Sequence, residues 1–274
     1  MSISSADASA TVSVVIGSNG TPGSVEACLA ALEPHAADVE IIVPEGEGAL
    51  VPELWRKGID AASGDVVCLT ISPMRPAPDW VATARRLAGE AAAVGGAIEP
   101  GERLRLRDWA EYFCRYARDM LPFEVRETAD LPGDNAVYRR AALDATRALY
   151  RDGFWEPEVH RALQERGERL LHTPELVVYQ GRSAGFRPFV RQRLVHGRVY
   201  GRQRGRRFST GRNAVGVALA VVVPLVLLAR TFSEVFSRRR LRARLVLSLP
   251  VLVAYDIAWA AGEAIGHMDS LRGR

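Results

Sequence analysis

RKGIDAASGDVVCLTISPMRPAPDW, from Arg56 to Trp80, decides the fold. Its first part closes a helix that opens at Leu50 and ends at Ala62, where Ser63 and Gly64 stop it. Asp65 to Thr70 (DVVCLT) follows at once as a strand of the buried type, and Pro73, Pro76 and Pro78 then turn the chain. Outward toward the N-terminus, Thr11 to Ile16 (TVSVVI) is a β-branched strand ending at Gly17. Ser24 opens an amphipathic helix to Leu32, and Val39 to Val43 is a second buried strand. Strands alternating with helices require a sheet whose neighbours run parallel, joined by crossover helices.

Toward the C-terminus, Trp80 to Ala91 reads as helix, Ala93 to Ile98 as a fourth strand and Trp109 to Leu121 as an aromatic helix. The alternation then changes. Gly133 to Tyr138 is a loop entering a strand, Arg140 to Leu149 and Glu158 to Arg166 are helices, and Val177 to Tyr179 is a late strand. A basic helix from Phe186 to Gly205 leads into two apolar runs. The expected class is α/β: a mixed, mostly parallel sheet flanked by helices, with hydrophobic membrane helices at the C-terminus. The expected divisions are a disordered N-terminus over residues 1–10, one domain over 11–205 and a membrane-associated tail over 206–274.

A chain of 274 residues that is 48% hydrophobic has enough apolar content for one well-buried domain plus an appendage. The net charge of +4 is local. Lys57 is the only lysine, and Arg198 to Arg212 and Arg230 to Arg244 hold six arginines each, one block ahead of each apolar run. Basic juxtamembrane blocks attract anionic lipid, and no nucleic-acid motif or aromatic-rich basic face accompanies them, so nucleic acid is not expected as a partner. Cys28, Cys68 and Cys114 have no metal or disulfide spacing and fit a reducing compartment. Met1 to Thr11 lacks the basic start and apolar stretch of a signal peptide.

Gly17, Gly20 and Gly23 form a glycine turn after the first strand, with Ser18 and Asn19 inside it. Such a turn either brings backbone N–H groups to a phosphate or serves as a loop before a helix. A dinucleotide site would place an acid at the end of the second strand. Glu45 and Glu47, after Pro44, are the nearest, so a nucleotide-dependent reductase is the weaker of the readings considered.

The opening VSVVIGSNG, the helix SVEACLAALEP and the quoted stretch together resemble the family 2 glycosyltransferases, with Arg56, Gly58, Ala62 and Gly64 matching that family's approach to its third strand. The resemblance spans residues 11 to about 205 and rests on the order of the motifs. It implies a nucleotide-diphospho-sugar transferase fold, a nucleotide-sugar donor, and donor contacts at Ser18, Asn19, Glu45, Arg56 and Gly58. The family carries an acidic, metal-holding DxD cluster after the third strand. Ile71, Ser72 and Pro73 stand there, and none is a hard oxygen anion. Mg2+ or Mn2+ dependence is therefore not implied, and no metal ligand is assigned. Asp79 has a sufficient explanation as a helix N-cap.

Gly133, Asp134 and Asn135, with Arg139 and Arg140 (GDNAVYRR), resemble the family's acceptor loop and equally form an ordinary turn. GFWEPEVHRALQERG resembles the segment carrying the catalytic base. Counting back from Gly167 selects Glu156, which would take the acceptor hydroxyl's proton in an inverting transfer; the plainer role is at a helix start beside Pro157. Glu158 and His160 lie on the following helix. RQRLVHGR resembles an element that closes over the diphosphate, which would give Arg191, Arg193 and Arg198 the charge of the missing metal, or else places them against lipid headgroups. The alternative function is an inactive, sugar-nucleotide-binding scaffold.

The apolar runs, Ala214 to Ala229 and Leu245 to Gly262, reach roughly 24 and 27 Å as helices, short of a hydrocarbon core of about 30 Å. A hairpin would carry the second arginine block across the membrane. The first run, kinked at Pro224, is therefore expected to enter and return or lie shallow, with the arginines on an interfacial helix. Asp256 and Glu263 should face protein or headgroups. The whole points to the cytoplasmic membrane, with the domain facing the cytoplasm and a lipid-linked or glycan acceptor nearby.

Overall fold

The computed structural model describes residues 10–18, 20–46, 48–182 and 185–272. The disorder expected over residues 1–10 therefore falls almost wholly outside the described residues. Two compact units emerge, one comprising the chain up to Glu102 together with Asp119–Gly181, the other Arg103–Arg118 with Arg182–Arg274. Residue 205, the expected division, lies inside a helix of the second unit.

The first unit is built on strands β1 (Val12–Gly17), β2 (Val39–Ile42), β3 (Val66–Ile71), β4 (Met74–Pro76), β5 (Ala93–Pro100), β6 (Arg126–Glu127), β7 (Asn135–Arg139) and β8 (Leu170–Gln180). They form one sheet in the order β2-β1-β3-β7-β5-β8-β4, with β6 also on β8. β1, β2, β3, β5 and β8 share one direction and β4, β6 and β7 oppose it. The sheet is thus mixed and mostly parallel. Every residue of β1 and β3 is buried, as expected of strands covered on both faces.

Helices α1 (Ser24–Leu32), α2 (Val51–Ala61), α3 (Trp80–Leu87), α5 (Arg140–Thr146) and α6 (Glu156–Glu165) flank it. α2 lies tight on β1 because residue 58 is glycine: a Cβ there would stand 3.0 Å from Pro44 Cγ and closer still to Val15 Cγ1. The far end of α2 is held by Arg140, which donates to the carbonyls of Ile59, Ala62 and Gly64 at 3.2, 2.8 and 3.1 Å.

Two expectations need correction. β8 begins at Leu170, not Val177. Its polar first half (His172, Thr173, Pro174, Glu175) pairs with β5 from Ala93↔Leu170, slips once between Gly95 and Ala97, and resumes at Ala97↔Val177. The proline-rich turn contains β4, which tolerates Pro76 because it is an edge strand.

The second unit holds α4 (Leu106–Tyr116), α7 (Phe186–Arg207), α8 (Thr210–Leu219), α9 (Val223–Ser237) and α10 (Arg242–Arg272). The aromatic helix read from sequence is α4, and it packs on α10. α7 and α10 approach closely through glycines. A Cβ on Gly201 would lie 3.0 Å from the Glu263 carbonyl carbon, and one on Gly262 2.9 Å from Arg198 N. α10, at 31 residues, is long and apolar enough to cross a membrane, with a mean hydropathy of 1.7 over its apolar window. Its length of about 46 Å exceeds a core of about 30 Å, so the marginal span expected from the apolar letters alone is lengthened.

α8 and α9 meet at a bend of 65°. The break falls just ahead of Pro224, which stands in the first turn of α9, where its missing N–H costs nothing. The arginine block is not one continuous helix: Arg230 lies in α9, Arg238–Arg240 follow its end, and Arg242 and Arg244 open α10. Arg239 and Leu241 have φ of 56° and 58° and turn the chain between α9 and α10. Arg238 donates to the carbonyls of Glu234 and Arg118 at 2.9 and 2.8 Å. Asp256 and Glu263 are buried inside the helical unit, near Cys114 Sγ (3.7 Å) and Arg204 (3.1 Å).

Candidate active site

β1 and β3 end level with one another, Gly17 opposite Ile71, and the antiparallel β7 starts at the same edge, Asn135 opposite Thr70. Hydrogen bonds knit this edge into a floor. Trp55 Nε1 donates to the Thr70 carbonyl at 2.9 Å, Thr70 Oγ1 to the Asp134 carbonyl at 3.0 Å, and Ser72 N to the Gly17 carbonyl at 3.0 Å. In an open α/β sheet the carboxyl ends of parallel strands are where ligands bind.

α6 reaches this edge with its first residue. Phe154 N donates to the Pro52 carbonyl at 2.8 Å, docking the approach to α6 on the start of α2. Glu156 is half-buried, and its carboxyl group lies on Gly133: a Cβ at residue 133 would stand 2.8 Å from both Cγ and Cδ of Glu156 and closer to Oε1. Two positions selected separately from the sequence therefore touch.

A chain of hydrogen bonds runs behind them. Tyr138 OH lies 2.7 Å from His160 Nε2, and His160 Nδ1 lies 2.6 Å from Asp130 Oδ1. Burial, reinforced by the negative charges of Glu156 and Asp130, holds the Tyr138 phenol well above its ordinary range. The phenol stays protonated, and the two ring nitrogens of His160 lie between Tyr138 OH and the Asp130 carboxylate, with Leu131 N also 3.4 Å from Nδ1. His160 is fully buried, one helical turn beyond Glu156.

The remaining candidates fall differently. Ser18 follows Gly17 at the floor, half-buried, and Asn19 lies outside the described residues. Glu45 is exposed, its carbonyl accepting from Lys57 Nζ at 3.0 Å. Arg56 pairs with Asp60 at 2.8 Å along α2. Gly58 packs on Val15, with no room for a side chain between them. The Asn135 amide accepts from Trp80 Nε1 at 2.8 Å and donates to the Ala97 and Leu176 carbonyls at 2.9 Å each, and it is fully buried, so it fastens the loop. Arg139 pairs with Glu168 at 2.9 Å at the opposite edge of the sheet. Arg191, Arg193 and Arg198 belong to the helical unit, where Arg193 lies 4.2 Å over the Trp259 ring, Arg198 binds Asp269 at 2.7 Å and Arg191 is exposed.

The loop at Ile71–Pro73 does not suit a metal. Ser72 is buried, Ser24 Oγ donates to its hydroxyl at 2.8 Å, and among the described residues no group of three or more His, Cys, Asp or Glu side chains is placed to hold an ion. A cation does stand nearby. Arg75, on β4, is exposed and lays its guanidinium on the Gly181 backbone, where a Cβ would stand 3.3 Å from Cζ; it makes no hydrogen bond or ion pair among the described residues. Cys28 registers its charge: burial pushes the thiol up to about 12, and Arg75 opposes the shift. Arg75, Tyr138 and Asp130 carry no motif and escaped the sequence reading, whereas His160 is signalled by its spacing of four from Glu156.

Among solved structures, the chain is similar to the mannosyltransferase PcManGT from Pyrobaculum calidifontis, solved in complex with GDP-Man and Mn2+. The TM-score is 0.51 and the identity 16%, over 93% of this chain and 87% of that one. Weaker likenesses, both with a TM-score of 0.40, are to A197 from STIV (10% identity, 64% of this chain and 86% of that one) and to a mycobacterial protein (17% identity, 70% and 74%). No protein-family model matches the chain, and no curated protein matches it in sequence. The first likeness establishes the fold: a mixed sheet flanked by helices, shared with a glycosyltransferase.

Proposed function

We propose that the first unit is a glycosyltransferase domain that takes a nucleotide-sugar donor at the carboxyl edge of β1 and β3, with Glu156 as general base. The observation that carries this reading is the seating of the Glu156 carboxyl on Gly133 at that edge, in a fold shared with a mannosyltransferase. The carboxylate takes the proton of an acceptor hydroxyl as its oxygen attacks the anomeric carbon. The bond from that carbon to the diphosphate breaks, and the configuration inverts. Neutralising the leaving diphosphate falls to cations of the chain, and Arg75 is the guanidinium nearest in sequence to the acid-free loop. A diphosphate role for Arg191, Arg193 and Arg198 rests on the family resemblance.

The acceptor is membrane-proximal or lipid-linked, in keeping with α10 and the basic blocks, and the domain faces the cytoplasm. The rival reading, an inactive sugar-nucleotide-binding scaffold, is favoured by the same acid-free loop. Thermal stabilisation of detergent-purified protein by a panel of sugar nucleotides, with Mn2+ or with chelator, tests donor binding. Stabilisation by at least one donor, undiminished by chelator, supports the proposal. No response from any donor contradicts both readings.

A further inference from the structure

α10 has the length and hydropathy to cross a membrane, but the helices packed on it do not. At about 100° per residue, Tyr255, Trp259, Gly262, Glu263, Gly266 and Ser270 share one face of α10. α7 covers that face: Phe189 meets the Tyr255 ring at 4.5 Å, Arg193 lies 4.2 Å over Trp259, and a Cβ on Gly205 would stand 2.7 Å from Ser270 Cβ. α4 continues the cover toward the start of α10, with Trp109 5.5 Å from the Arg244 guanidinium and Cys114 Sγ 3.7 Å from Asp256. α7 holds eight arginines and no acid, and its stripe of Arg191, Arg198, Arg202 and Arg206 is exposed. A crossing takes about 20 residues, and any such stretch of α10 contains Trp259 and so draws α7 in with it, at the cost of guanidiniums in hydrocarbon. The two arginine blocks also stand at opposite ends of α10, so a crossing would part them across the membrane.

The opposite face of α10 is apolar. Val246, Val253, Ile257, Ala260, Ala261 and Ala264 centre about 140° around the helix from the face that α7 covers. Where α8 and α9 bend by 65°, a hollow of about 550 Å3 opens toward this face, lined by Val221, Pro224 and Leu225 opposite Val253, Ile257 and Ala261. Val221, Leu225 and Ile257 are 79%, 65% and 53% exposed. The charges on the three helices are sorted: Arg212, Arg230, Arg242 and Arg244 are exposed, whereas Asp256, Glu263 and Asp269 are turned to α4 and α7.

We propose that α8, α9 and α10 form a monotopic platform: their shared apolar face sinks into one leaflet of a bilayer, α10 lies in its plane without crossing, and the exposed arginines meet anionic headgroups. Both arginine blocks then stay on one side. The platform stands apart from the transfer reading, since nothing in it depends on Glu156 or on a donor.

The test uses the full chain in sealed membrane vesicles of one known orientation. Ser237→Cys marks the chain just ahead of α10 and Arg272→Cys marks its end, both at exposed positions. A membrane-impermeant maleimide, applied before and after detergent opens the vesicles and read against the parent chain, reports the side of each. Both cysteines on one side is the expected result; cysteines on opposite sides mean that α10 crosses, and overturn the proposal. Purified protein diluted out of detergent should also float with vesicles of phosphatidylcholine and phosphatidylglycerol, and less with phosphatidylcholine alone. Val221→Asp and Leu225→Asp, which change exposed side chains, should each weaken that binding about tenfold or more. Vesicle binding unchanged in both variants overturns the platform. So does a dimer in detergent that Leu225→Asp splits while vesicle binding persists, which gives the face to a second copy of the chain.

Discussion

Gly133 and Glu156 meet so closely that a methyl group on the glycine would stand 2.8 Å from two carbons of the carboxylate side chain. Gly133→Ala must therefore push Glu156 off its seat or lift the loop. The expected outcome is a kcat lowered by about ten- to a hundredfold, with donor affinity close to wild type. Steady-state kinetics that separate kcat from KM check it.

Arg75 supplies the next prediction. Arg75→Gln should weaken binding of a nucleoside diphosphate about tenfold, about 1.4 kcal/mol, and leave the parent nucleoside unaffected. Arg75→Lys should recover part of the loss, because an ammonium keeps the charge and forgoes the bidentate fork. Calorimetry with chelator present measures both.

Glu40 makes stability depend on pH. Its carboxylate accepts from Ser13 Oγ at 2.5 Å, Ser63 N at 2.8 Å and Ser63 Oγ at 3.1 Å, and these bonds, the Ser13 hydroxyl first, hold its pKa below the usual 4.5. A depressed folded-state pKa contributes stability that is present above about 4.5 and lost as pH falls through the folded value. Glu40→Gln should flatten that acid limb, which urea midpoints from neutral pH downward will show.

The α7–α10 crossing has no room for a side chain at Gly201 or Gly262. Gly201→Leu or Gly262→Val should cost the helical unit about 1–3 kcal/mol, from overpacking against backbone that cannot retreat. A lowered thermal midpoint in detergent is the readout.

Much of the sheet was legible because β1 and β3 are short, mostly apolar and β-branched runs and α1 and α2 have clear ends. The first half of β8 was not, since His172, Pro174 and Glu175 look like a turn until β5 pairs with them. β4 was hidden among prolines that only an edge strand accepts. The site divides in the same way. Glu156 and Gly133 carried motif signals and lie together, whereas Gly58 and Asn135 carried equally good signals and serve packing and loop fastening. Letters do not distinguish a glycine that admits a ligand from one that admits a neighbouring valine. The spacing of Gly197, Gly201 and Gly205, and of Gly262 and Gly266, announced the α7–α10 contact and was open to reading.

The central claim is that the carboxyl group at position 156 takes the acceptor's proton. The direct measurement is release of nucleoside diphosphate from whichever sugar nucleotide stabilises the protein, compared between wild type and Glu156→Gln at equal donor occupancy. The account predicts a rate lower by about a hundred- to ten-thousandfold in the variant, with donor binding intact. A variant that turns the donor over at the wild-type rate contradicts it.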